Sequence, residues 1–157
     1  MIAYYPSPIG LIRIEGNEYG IRELKFVEEK PFSERDKLNH NILSLFTQLD
    51  EYFSGKRRNF EIELEVMGTE FQKRVWNELL KIPYGEVVTY NDIALIVGDK
   101  KLVRAVASAI ARNRLIIVIP CHRVIGSNGK LTGYAGGLER KSWLLNHEKF
   151  YKSALYK

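Results

Sequence analysis

Hydrophobic and polar positions along the 157 residues change period several times. Over residues 2–27 they alternate in short stretches, and LIRIE and IRELKF are separated by Gly16-Asn17-Glu18-Tyr19-Gly20, a pattern that predicts a β-hairpin. Leu38, Ile42, Leu45, Phe46, Leu49 and Phe53 then recur at steps of three and four, which predicts an amphipathic helix ending near Ser54-Gly55. FEIELEV, residues 60–66, alternates strictly with three glutamates on one side and predicts another strand. Together these pieces make a small α/β domain over residues 1–67, with Met67-Gly68 as the joint to a second domain over 68–157.

The second domain reads as mostly helical. Thr69 can cap a helix whose apolar face is Phe71, Val75, Leu79 and Ile82, broken by Pro83-Tyr84-Gly85. Thr89 followed by Asp92 resembles a capping box and opens a short helix over 90–97, ended by Gly98. Asp99 can cap the next helix, over 100–112. Two short capped helices joined by a tight turn are a helix-turn-helix candidate, a weak signal taken alone. The second of them has two unlike faces: Val103, Val106, Ala107 and Ile110 form the apolar stripe, and Lys101, Arg104, Ala105, Ser108 and Arg112 lie opposite. That outer face reads either as plain solvated surface or as a thin, basic-rimmed edge fit for a minor groove about 6 Å wide. Leu115, Ile116, Ile117, Val118 and Ile119 are expected to form a strand buried on both faces and stopped by Pro120. A last helix, over 138–150, carries Leu144 and Leu145 toward the core.

Composition adds limits. With 45% hydrophobic residues the chain can bury a core, and no apolar run approaches the ~20 residues of a membrane span. No export signal is visible, so cytoplasm is the expected compartment. A formal charge of +5 gives only a nudge toward a polyanionic partner.

The single cysteine changes the picture more. Cys121 can form no internal disulfide and no multi-cysteine zinc site, which leaves a buried filler or a reactive thiol. A free thiol is mostly protonated at neutral pH, so a nucleophile needs a base or a positive field, and His122 and Arg123 are the neighbours at hand. In extended backbone adjacent side chains point apart, so contact between Cys121 and His122 requires a bridging water or a sharp turn. Glu148 lies three and four residues beyond Leu145 and Leu144, on the buried side of the last helix. A carboxylate there is costly unless paired; His122 is favoured as its partner over His147, which points elsewhere around the helix.

Several of these segments, taken in order, resemble the O6-alkylguanine-DNA alkyltransferase family: FQKRVWNELLKIPYGEVVTY from Phe71, then Arg104 and Asn113 ahead of PCHRV, then YAGG from Tyr134 and WLLNHE from Trp143. The resemblance spans residues 69–148 and is specific in its combination of motifs; the first domain agrees only in general α/β character. It implies an α+β protein in which a small N-terminal α/β, ribonuclease H-like domain precedes a mostly helical domain with a winged helix-turn-helix-like DNA-binding motif. It implies direct-reversal repair: the protein binds double-stranded DNA in the minor groove, flips O6-alkylguanine out, and accepts the alkyl group irreversibly on Cys121.

The same resemblance assigns roles. Cys121 is activated through Glu148, His122 and a bridging water, and Asn113 ties the recognition helix to the cysteine segment. Arg104 fills the gap left by the flipped base, while Tyr90 helps turn the nucleotide out and hydrogen-bonds the guanine. Tyr134 flanks the base, the backbone N–H of Ala135 meets O6, and the carbonyls of Cys121 and Val124 accept from the exocyclic amine. Gln72, Asn91, Asp99 and Ser127 fall where family members touch the DNA backbone, and Ala105 and Ser108 belong to the thin helix face. No cofactor is implied. Some relatives hold zinc in the first domain, but here that region has His40 and no cysteine, so no metal is expected. Ala135 stands where several relatives have serine. A monomer in solution is expected, with cooperative binding along DNA left open, and no membrane partner. Two alternatives remain: a non-enzymatic DNA-binding regulator with Cys121 as filler, and a cysteine hydrolase.

Overall fold

Three antiparallel strands, β1 (Ile2–Ser7), β2 (Gly10–Asn17) and β3 (Gly20–Val27), run in the order β1-β2-β3 in the computed structural model, which describes residues 1–32 and 35–154. Alternation decides which face is covered. Ile12 and Ile14 are fully buried, while Arg13 between them turns outward and pairs with Glu23 at 2.7 Å and Glu15 at 3.2 Å. The hairpin closes at Gly20, whose φ of +149° and the 2.7 Å from a built Cβ to the Glu63 carbonyl oxygen both exclude a side chain. Helix α1 (His40–Phe53) lays Ile42, Leu45, Leu49 and Tyr52 against the sheet. Asn39 caps it by accepting from the Ile42 N–H at 2.9 Å, so Leu38 falls before the helix and is exposed.

The strand expected over 60–66 is reduced to one parallel bridge, Ile21 to Leu64. A side chain takes the place of a partner strand: the Gln48 amide donates to the Glu61 carbonyl at 2.9 Å and accepts from the Glu61 N–H at 2.8 Å. With those backbone groups satisfied by α1, the segment's backbone bonds to the sheet edge are made at Ile21, whose N–H donates to Glu63 and whose carbonyl accepts from Glu65, both at 2.9 Å.

Contacts divide the chain into two units, Met1–Met67 and Gly68–Lys157. The second unit contains α2 (Glu70–Leu79), β4 (Val88–Thr89), α3 (Tyr90–Val97), α4 (Val103–Ala111), β5 (Val124–Ile125) and α5 (Leu138–Ala154). Capping boxes open α2 at Thr69/Gln72 and α3 at Thr89/Asp92, and Gly98 closes α3. α2 stops at Leu79, so Ile82 is buried from the following turn rather than from the helix. Asp99 caps only a 3-10 turn, Lys100–Leu102, and α4 starts at Val103. The Trp76 indole N–H donates to the Ala109 carbonyl at 2.8 Å and fixes α2 against the C-terminal half of α4.

Residues 115–119 are buried as expected but do not form a strand. The run folds back on itself in turns, with the Ile119 N–H donating to the Leu115 carbonyl at 2.9 Å and Ile117 at a φ of +70°. The buried Asn113 amide closes the loop, donating to the Ile119 carbonyl and accepting from the Leu115 N–H, both at 2.9 Å. An apolar run too short to show a period can take either form, and here a side-chain amide satisfies backbone groups that a strand ladder would otherwise need.

Candidate active site

The parallel pair β4–β5 places the start of α3 beside the cysteine segment: Val88 pairs with Val124 and Thr89 with Ile125. Tyr90 follows the first strand, and the 3-10 turn Cys121–Arg123 precedes the second. The sharp turn that direct approach of Cys121 and His122 requires is therefore present. α4 and the loop before α5 complete a cavity of about 620 Å³. Tyr90, Asn91, Arg104, Cys121, Ser127, Tyr134 and Ala135 line it, together with the small or apolar Val103, Ala107, Ile110 and Ala111 of α4.

Behind the cavity wall lies a buried charge network. His122 Nε2 is 2.7 Å from Glu148 Oε2, and both side chains are fully buried. Arg123 grips the same carboxylate with Nε at 2.8 Å and Nη2 at 3.0 Å, while its Nη1 donates to the Ile82 carbonyl at 2.7 Å. The Gly85 N–H also donates to Glu148 Oε1, at 3.2 Å. Burial by itself would raise the Glu148 carboxyl; attraction and hydrogen bonds from His122 and Arg123 outweigh it and hold the group well below the usual carboxylate range. Burial also lowers His122 against the pull of Glu148, which leaves a neutral imidazole. Its Nε2 proton is committed to the carboxylate. Nδ1 is thus the basic atom, and it is buried without a protein hydrogen-bond partner.

The thiol is not ionised in this setting. Burial pushes Cys121 up to about 11, and a hydrogen bond from Asn113, the nearby Lys141 charge and a backbone hydrogen bond oppose it only in part. Arg123 does not supply the positive field expected of it, because its guanidinium is spent on Glu148 and Ile82. The arrangement is that of a proton-bearing sulfur at the edge of a cavity, adjacent in sequence to a neutral base that a carboxylate orients.

The other expected residues divide by position. Asn113 sits behind the cysteine segment and Val124 is fully buried beside it. The Tyr134 hydroxyl is buried without a protein partner, and burial raises it well above the ordinary tyrosine value. Ala105 and Ser108 are exposed on α4, outside the cavity lining. The side chains of Gln72 and Asp99 are engaged in capping, the first with the Thr69 N–H at 3.0 Å and the second with the Lys101 N–H at 2.8 Å. His147 stacks on Trp143 at 4.8 Å. Reading the sequence missed the clamp by Arg123, although a buried carboxylate has room for more than one donor. It also missed Lys141, seven residues before Glu148 on the same helix face.

Comparison with known proteins covers both units. Residues 70–150 match the family model described as 6-O-methylguanine DNA methyltransferase, DNA binding domain, and residues 1–66 match the ribonuclease-like domain of the same name. The chain is 46% identical over 150 residues to the methylated-DNA–protein-cysteine methyltransferase of Methanosarcina acetivorans, covering 93% of this chain and 96% of that one. It is 43% identical over 151 residues to the protein of that name from Mycolicibacterium paratuberculosis, covering 94% and 92%. Among solved structures, Mycobacterium tuberculosis OGT in complex with DNA superposes with a TM-score of 0.85 at 40% identity, covering 94% of this chain and 92% of that one. An O6-methylguanine DNA methyltransferase from Methanococcus jannaschii gives 0.70 at 26% identity, covering 95% and 93%.

Proposed function

The chain belongs to the 6-O-methylguanine DNA methyltransferase family, and from that membership we propose that it repairs alkylated DNA by moving the alkyl group of O6-alkylguanine onto Cys121. The observation that carries the reading is Cys121 at the wall of an open cavity large enough to admit a base, with the His122–Glu148 pair buried behind it. Double-stranded DNA approaches along α4, whose exposed Ala105 and Ser108 keep the helix thin enough for a minor groove while Arg104 enters the space vacated by the flipped guanine. Tyr90 and Tyr134 flank the base, and the cavity that they line with Arg104 is apolar on its α4 side.

In the transfer step the Cys121 proton passes through a water to His122 Nδ1, and Glu148 stabilises the imidazolium that forms. Sulfur attacks the alkyl carbon in line, the carbon–O6 bond breaks, and its electron pair goes to guanine O6. The Ala135 N–H meets that oxygen, and the Tyr90 hydroxyl donates to the purine as its charge grows. Carbonyls of Cys121 and Val124 accept from the exocyclic amine. Asn113 holds the cysteine turn to the end of α4 through Leu115 and Ile119. Nothing in the site hydrolyses a thioether, so each molecule acts once. Asn91, Ser127, Gln72 and Asp99 meet the DNA backbone, and for Gln72, whose side-chain oxygen accepts from the Thr69 N–H, the amide nitrogen is the donor. The protein acts as a monomer, and its lone thiol suits a reducing compartment such as the cytoplasm.

Incubation with duplex DNA containing O6-methylguanine, followed by intact-mass measurement, tests the proposal. One methyl group per molecule on Cys121, no further turnover, and complete loss in Cys121→Ser are expected. Continued turnover would point to a hydrolase, and intact DNA binding without an adduct to a regulator.

A further inference from the structure

Lys141, in the first turn of α5, has no exposed surface. Among the described residues no carboxylate lies within ion-pair distance of its ammonium. Nζ instead donates to two loop carbonyls, Thr132 at 2.6 Å and Gly133 at 3.4 Å, and lies 5.9 Å from the centre of the Tyr90 ring. The same helical turn holds the far end of the loop, since Arg140 Nη1 donates to the Gly136 carbonyl and the Lys141 N–H to the Gly137 carbonyl, both at 3.1 Å. Thr132, Gly133, Tyr134 and Ala135 line the cavity that Cys121 faces.

This wall has little else to fix it at its glycines. Gly133 and Gly137 adopt positive φ, and a Cβ built on either meets nothing within 4 Å, so close packing does not lock the loop there. Hydrogen bonds do, chiefly from α5, with a longer one of 3.4 Å from the Tyr90 hydroxyl to the Thr132 carbonyl. A cation without a counter-charge is an expensive way to make them: burial lowers Lys141 to about 8. An apolar side chain of similar length would fill the same space without that cost. Two turns further along, on the same helix face, Glu148 orients His122.

We propose that Lys141 is a positioning residue for the base cavity: its ammonium holds the wall formed by residues 132–135 in register with Cys121, so that one face of α5 sets both the substrate wall and the proton relay. The inference rests on the alkyl-transfer reading for its consequence but not for the tether itself, and the experiment separates the two. Full-length Lys141→Met and Lys141→Arg proteins are compared with the parent by amide hydrogen exchange, by the first-order rate of transfer from saturating duplex O6-methylguanine and from free O6-benzylguanine, by affinity for undamaged duplex, and by melting temperature. In Lys141→Met, exchange over 132–137 is expected to rise about tenfold or more with α2 and α4 unchanged. Transfer from both substrates falls about 30-fold, as misplacement of a substrate wall predicts. Duplex affinity stays within about twofold, and the melting temperature does not fall, since a buried charge has been removed. Lys141→Arg, which keeps donors at the end of a long stem, recovers part of the rate. Unchanged loop exchange overturns the tether, and so does a melting-temperature drop with faster exchange throughout the unit, which marks a packing role. Faster loop exchange with parental transfer rates overturns the positioning role. If the parent itself transfers nothing, the repair reading falls and loop exchange alone decides whether the tether exists.

Discussion

At the scale of single residues, burial favours the neutral form of Cys121. With burial pushing it up to about 11, the thiolate is a small minority at pH 7, and the proton leaves when substrate arrives rather than before. Alkylation of the free protein by iodoacetamide should therefore accelerate about tenfold per pH unit from 7 to 10 without levelling off. A plateau below pH 9 would mean that the sulfur is already ionised. Glu148 makes the complementary case. Its carboxylate accepts from His122, Arg123 and Gly85, so Glu148→Gln leaves the Arg123 guanidinium buried without a counter-charge. That change should cost about 3 kcal/mol in denaturant unfolding and abolish most transfer at once. The folded carboxyl titrates below its unfolded value, so its contribution to stability is complete above the ordinary carboxylate range and is lost as pH falls from that range toward the depressed folded value. Acid titration of Glu148→Gln should accordingly be flatter than that of the parent; equal acid slopes would remove the network from the stability account.

At the scale of elements, α4 combines an interior face that packs on α2 and α3 with an outer face of Arg104, Ala105 and Ser108. Arg104→Ala should slow repair within duplex DNA about 100-fold, because the flipped base then leaves an unfilled gap, yet leave reaction with free O6-benzylguanine within about twofold. Equal losses on the two substrates would show that Arg104 serves the cavity rather than the DNA. Elements with local signals were legible in the sequence: Thr69, Thr89 and Gly98 sit where the helices start and stop, because a cap is decided within four residues. The paired Glu148 and His122 were legible as well, since a carboxylate on a buried helix face demands a partner. The turns over 115–119 were not, because what selects them is the amide of Asn113 rather than any period in the run. Gln48 hid the loss of the strand over 60–66 in the same way. Arg123 and Lys141 escaped for a related reason. Charged residues are usually solvated, and only the fold reveals that these two are buried on Glu148 and on loop carbonyls.

At the scale of the whole molecule, the residues proposed for chemistry and for DNA contact all fall within the second unit, Gly68–Lys157, while the first unit has its own sheet, helix and core. The proposed transfer depends on delivery, since the cavity beside Cys121 must first be brought to a duplex. The charge distribution supplies the means. Lys100, Lys101, Arg104, Arg112 and Arg114 are all exposed on or beside α4, and the chain carries a net +5. Cations that neutralise phosphates release condensed counterions, so affinity must fall with salt in proportion to the number engaged. If the four other than Arg104, which enters the base stack, do so, binding to undamaged duplex should weaken about 150-fold between about 50 and 200 mM monovalent salt. Lys101→Gln should weaken binding and flatten the logarithmic slope by about one unit, with no effect on transfer from free O6-benzylguanine. A slope near zero in the parent would mean that the basic rim of α4 is ordinary solvated surface, and that the duplex must be held elsewhere.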